Sequence, residues 1–142
     1  MTRHARIDDD RSVLSQLRER MKELRCLYAV SRILADEKLT RPQRLRRIVR
    51  CLPSAWQNPG EAAARITLDD KRFDSGEFER VVTVQREDLM VHDVRRGAIE
   101  VGFTSISASD EQEPFLPEER KLLKDVARQL SASITPREGA ER

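Results

Sequence analysis

The sequence predicts an α+β fold, with an antiparallel sheet of four to six strands flanked by long N- and C-terminal helices. Three observations carry this expectation. Residues 11–36 contain neither Gly nor Pro and space their apolar side chains as a helix does. Residues 64–105 switch to strand-like alternation, interrupted by turn-forming residues. Residues 115–134 form a strongly signalled amphipathic helix. Helices at both ends of a run of strands give the α+β order. A length of 142 residues suits one core. The domain is assigned to residues 11–135, and residues 1–10 and 136–142 are expected to be disordered tails.

In the first helix, Leu14, Leu17, Met21, Leu24 and Tyr28 alternate steps of three and four, the spacing of a coiled-coil seam. From Leu24 onward the apolar stripe widens through Leu27, Val30, Ile33 and Leu34. The first half is therefore expected to pair with another helix and the second half to dock on a core. At about 1.5 Å per residue the helix would be about 39 Å long, more than a body of this size covers. The seam is the expected homodimer interface. Its neighbouring charges (Arg18, Glu19, Arg20, Lys22, Glu23 and Arg25) are mixed in sign and are expected to pair across it. The acidic triplet Asp8–Asp10 would favour the N-terminal end of the helix dipole.

The second helix opens on a Thr40-x-x-Gln43 capping box, with Pro42 tolerated in the first turn. Leu45, Ile48, Val49 and Leu52 give it an apolar face, and Pro53 stops it. Arg44, Arg46, Arg47 and Arg50 take the other faces and are the candidate anion contacts. The stretch from Pro53 to Gly60 is rich in Pro, Gly and Asn and is expected to be a loop.

Strands follow over residues 64–70 and 72–76, turning near Asp69–Lys71, and then over 79–87. Residues 89–94 and 97–105 are expected to surround a tight turn at Arg95–Arg96–Gly97. In the last strand Ile99, Val101 and Phe103 alternate with Glu100, Gly102 and Thr104, so one face should be buried. A charged loop over 107–114 leads to the final helix. Pro117 suits its first position, and Glu118 and Glu119 suit its dipole. Leu123, Val126, Ala127, Leu130 and Ile134 form its apolar stripe. Leu123 and Leu130 are added as candidate contributors to the dimer interface.

Composition narrows the function. Charged residues make up 37% and aromatics 4%, which favours solvated helices over an aromatic-lined cleft. Residues 1–53 hold 14 Lys and Arg against 7 Asp and Glu, whereas the remainder holds 13 against 18. Only the first part could attract an anionic partner by its average field. No apolar run approaches the roughly 20 residues that a membrane span needs. Cys26 and Cys51 lack paired spacing, and in a chain without a secretory signal they are read as reduced, buried thiols of a cytoplasmic protein.

No catalytic or metal-binding constellation is visible. The histidines are His4 and His92. His92 and Asp93, adjacent in a strand, would point to opposite faces and form no dyad. Two Cys and two His scattered over separate elements give no ligand spacing. Gly97 and Gly102 stand in no phosphate-binding turn. A non-enzymatic protein without a cofactor is therefore expected. The rival reading is nucleic-acid binding through “RPQRLRRIVR”, five arginines in ten residues. That segment lacks stacking aromatics and a base-reading second helix, so a solvated basic face is preferred. Tyr28 and Trp56 are expected to be packing anchors rather than ligand platforms.

The segments “GAIEVGF” and “PFLPEERKLLKDVARQLSASI”, joined by a charged loop, resemble the end of a GAF domain. “LRCLYAVSRILAD” with the short helix after it resembles the beginning of one, and the likeness covers residues 24–134. The resemblance implies a regulatory module that dimerises through its terminal helices. It also implies a signalling partner, a histidine kinase or a phosphoenolpyruvate-utilising enzyme. Ligand-binding members of that family carry lid elements between central strands. The short stretch between Val84 and Gly97 leaves no room for one, so a small-molecule ligand is not expected. The chain would serve alone or within a longer sensor.

Overall fold

A computed structural model describes residues 2–105 and 115–140, with side chains described for 12–105 and 115–134. The chain forms helix α1 (Thr2–Ala35), helix α2 (Arg41–Cys51) and strands β1 (Ala62–Leu68) and β2 (Lys71–Asp74). Strands β3 (Thr83–Val91) and β4 (Val94–Phe103) and helix α3 (Pro117–Ala140) follow. The strands make one antiparallel sheet in the order β2-β1-β4-β3. Among the described residues the fold is α+β, with four strands. The charged loop expected over 107–114 lies outside the described residues.

Side-chain alternation decides which face of the sheet is covered. Ala64, Ile66 and Leu68 of β1 point into the core with Phe73 of β2, Leu89 of β3, and Ile99, Val101 and Phe103 of β4. Helix α2 packs over β1 and β2, and α3 packs over β3 and β4. Helix α1 lies on α2 and α3. Every apolar residue expected along α3 is buried, from Leu123 to Ile134. Phe103 and Phe115 stack with ring centroids 5.1 Å apart, joining the last strand to the start of α3.

The capping box of α2 is formed. Thr40 N–H donates to Gln43 Oε1 at 2.8 Å, and Gln43 N–H donates to Thr40 Oγ1 at 3.3 Å. Helix α1 begins earlier than the sequence suggested. Residues 2–10, expected to be a tail, continue it without a Gly or Pro to stop them. The acidic triplet therefore lies within the helix rather than ahead of it. At the other end α3 runs to Ala140, so residues 136–140 of the second expected tail are helical too.

The expected turn at Arg95–Arg96–Gly97 does not exist. Strand β3 runs unbroken to Val91, and the hairpin turns at His92 and Asp93, with φ of 52° and 62°. Two consecutive positive φ values give the turn the twist that a two-residue hairpin needs. Arg96 instead sits at a bulge, because the register passes from Leu89 opposite Gly97 to Met90 opposite Arg95. The bulge lets the Arg96 carbonyl accept from Asp69 N–H at 2.8 Å. It also lets the guanidinium grip the Asp69 carboxylate at 2.7 and 2.9 Å.

Candidate functional site

Helix α1 carries two apolar faces, and only one is used internally. Glu23, Cys26 and Val30 are buried against the body. Leu14, Leu17, Met21, Leu24 and Tyr28 are between 51% and 64% exposed, and Val13 is exposed beside them. Residues two apart are separated by about 200° around a helix, so Leu24 and Tyr28 point away from Cys26 and Val30 between and beyond them. The step of three and four continues through all five exposed residues. They form one straight stripe along the outward side of α1.

The charges around this stripe are sorted by sign. Glu23 is buried, and Glu19 is half-buried beside the start of α3, sharing a groove there with Leu116 and Glu118. Both acidic residues thus lie on the inward side. Arg18, Arg20 and Arg25 are exposed alongside the stripe. Arg32 lies over the Tyr28 ring, 5.8 Å from its centroid, and donates to the Tyr28 hydroxyl at 3.3 Å. The opposite charges pair along α1 itself, Arg20 with Glu23 at 3.7 Å and Lys22 with Glu19 at 3.5 Å, and among the described residues the exposed members beside the stripe are basic.

Leu123 and Leu130 do not join this surface. Both are wholly buried in the chain's own core beneath α1 and against β3 and β4. A residue that fills the core cannot also meet a second chain. Arg44 likewise leaves the candidate anion contacts: it is buried, and its guanidinium donates to the Asp36 carbonyl at the end of α1. Arg46, Arg47 and Arg50 remain exposed on α2, and Arg46 extends over the Phe73 ring at 5.9 Å. Trp56 is a core anchor, fully buried, with Nε1 donating to Gln85 Oε1 at 2.9 Å.

Two arrangements were not foreseen from sequence. The first centres on Glu119, which is buried at the start of α3. Its Oε2 accepts from Gln57 N–H at 2.7 Å and its Oε1 from Leu116 N–H at 2.9 Å. Gln85 donates to its backbone carbonyl at 3.2 Å. Burial pushes the carboxyl up from its ordinary value, against the pull of the two backbone donors. With both oxygens engaged by main chain, Glu119 works as a staple between the loop after α2, β3 and α3. The sequence marked it only as one of two acidic residues suited to the helix dipole, not as a buried staple.

The second is the placement of the cysteines: Cys26 is buried on α1, and Cys51, at the end of α2, is half-buried with its thiol donating to the Ile48 carbonyl at 3.2 Å. On the outer face of the sheet a short 3-10 turn, Phe78–Arg80, buries Phe78 beneath the Arg65 guanidinium, which lies 4.4 Å from the ring centroid. Along the β3 side of that face, Val82, Val84, Met90 and Val94 are exposed, and toward β2 Arg65 holds Asp74 at 2.7 and 3.1 Å. Among the described residues no group of three His, Cys, Asp or Glu is placed to hold a metal ion. No described helix is long and apolar enough to cross a membrane. No protein-family model matches the chain, and no curated protein matches it significantly.

Proposed function

We propose that this chain is a non-catalytic regulatory domain of GAF-like type that pairs through the outward stripe of α1 with a helix of another chain, first of all a second copy of itself. One observation carries the reading. Five large apolar side chains stand in helical register on the side of α1 opposite its docking face. Burying a Leu side chain contributes about 1.5–3 kcal/mol, so Leu14, Leu17 and Met21 alone would contribute several. Exposed like-charged pairs on helices cost only a few tenths of a kcal/mol each. Apolar burial therefore outweighs repulsion between the flanking arginines. In this reading the signal passes between the stripe and a partner such as a histidine kinase or a phosphoenolpyruvate-utilising enzyme.

A second reading has its own support. With Arg18, Arg20, Arg25 and Arg32 beside the stripe, an amphipathic helix with acidic flanks on another protein would gain charge pairs that a second copy does not offer. Analytical ultracentrifugation of wild type beside Leu17→Glu/Met21→Glu tests the main reading. A wild-type dimer should become a folded monomer, because neither residue is in the core. A wild type that stays monomeric at tens of micromolar would remove self-pairing and leave the acidic helix.

A further inference from the structure

We infer that the free edge of β3 pairs antiparallel with the β3 edge of a second copy, centred on Glu87, so that the two sheets run on as one. Among the described residues the strand order leaves β2 and β3 at the edges of the sheet. Edge strands are ordinarily blunted, and β2 is: it has four residues, of which Lys71 and Arg72 are two. Strand β3 has nine, with no Pro and no extra residue of its own, because the bulge belongs to β4.

One bond gives the direction of the backbone. Met90 N–H donates to Ser131 Oγ of α3 at 3.2 Å, so it points away from β4. Successive residues of a strand turn their N–H and C=O groups to opposite sides, so those of Val84, Arg86 and Asp88 also face the free edge. Gln85 and Leu89 face the core, which leaves Val84, Arg86, Asp88 and Met90 on the outer face, and all four are exposed.

Charge then selects the register. Only residues that face the edge can bond across it. A two-fold centre at Arg86 or Asp88 would set like charges opposite each other. One at Gln85 or Leu89 would set Val84 against Arg86, or Asp88 against Met90. A centre at Glu87 sets Arg86 against Asp88 twice and Val84 against Met90 twice. Opposite charges, and apolar side chains, placed directly across a strand pair both stabilise it. The main-chain bonds of the two Arg86–Asp88 pairs leave Met90 N–H, already held by Ser131, undisturbed. Glu87 meets its own copy on the inner face, where Lys124 and Arg128 line the groove beside it.

This edge shares no residue with the outward stripe of α1, so the inference does not depend on what covers that stripe. Where α1 pairs two copies, the β3 edges join such pairs into larger assemblies. Pairing over so few residues is weak and is measured above the concentrations at which α1 associates.

The test uses the full chain carrying Leu17→Glu/Met21→Glu, which removes pairing through α1. Sedimentation equilibrium at hundreds of micromolar should show a monomer–dimer equilibrium. Adding Arg86→Asp, which sets two acidic residues opposite each other, should weaken it by about tenfold or more. Adding Arg86→Asp/Asp88→Arg exchanges the charges and should restore it to within about threefold. Circular dichroism checks that each variant folds. Independently, Glu87→Cys should form a disulfide between chains on mild oxidation, located by peptide mapping, because the two copies meet at the centre. Val84→Cys should not, since its copies would lie about 20 Å apart. Three results would each overturn the inference: a parent that stays monomeric at about 1 mM, a charge exchange that restores nothing, or Val84→Cys linking as fast as Glu87→Cys.

Discussion

Glu119 shows how one side chain can be stabilising and costly at once. Its two oxygens satisfy the Gln57 and Leu116 N–H groups, yet burial makes the ionised form unfavourable. Because its folded value lies above the ordinary 4.5, the unfolded chain ionises first as the pH rises. Its contribution is therefore complete below that value and falls as the pH climbs through the folded one. Glu119→Gln does not titrate and leaves one backbone N–H without an acceptor, a cost of about 1–3 kcal/mol. Urea unfolding should show the gap between wild type and Glu119→Gln to be larger at pH 4 than at pH 7. A gap that widens with rising pH would contradict this account. Gly97 is a second case in which contact decides. A Cβ there would come within 1.9 Å of the Thr67 carbonyl oxygen in the neighbouring strand, whereas one at Gly60 meets nothing within 4 Å. Gly97→Ala should lose about 1–3 kcal/mol in urea unfolding, as overpacked interiors do, and Gly60→Ala should lose little. Equal effects would mean that β4 shifts freely.

The hairpin between β3 and β4 explains which elements could be read in advance and which could not. The α2 capping box and the apolar stripe of α3 were legible because each is written locally, as residue types at fixed offsets. In Arg95–Arg96–Gly97 a glycine beside charges resembles a turn, but Gly97 is there because β1 approaches closely and Arg96 is bulged to reach Asp69. Both reasons are tertiary, and both involve strands distant in sequence. The true turn was hidden because His92 and Asp93 are not glycine. Residues of this kind adopt positive φ at a cost of roughly 1–2 kcal/mol each. Replacing them with the favoured pair, as His92→Asn/Asp93→Gly, should raise stability by about 1 kcal/mol in urea unfolding. A loss of stability would show that His92 or Asp93 makes a contact worth more than the relief of the backbone.

On the scale of the whole molecule, the candidate surface was half legible. The spacing of Leu14, Leu17, Met21, Leu24 and Tyr28 marked the stripe, and all five are exposed. The sign of the charge beside it was not legible, because sequence alone does not say which side of α1 meets the body. Docking turns Glu23 and Glu19 inward and leaves Arg18, Arg20, Arg25 and Arg32 outward. That arrangement fixes the direction of a salt effect. Two copies of α1 brought together along the stripe align arginine with arginine, and salt screens this repulsion over a Debye length of about 10 Å at 0.1 M. Self-association should therefore tighten between low and moderate salt when followed by sedimentation equilibrium. Pairing with an acidic amphipathic helix should weaken over the same range, because the same screening removes attraction. A synthetic acidic-flanked helical peptide, followed by fluorescence anisotropy, supplies the second measurement. If self-association loosens as salt is added, attraction between opposite charges holds the two copies together, and the arginine-lined stripe of α1 is not the surface on which they meet.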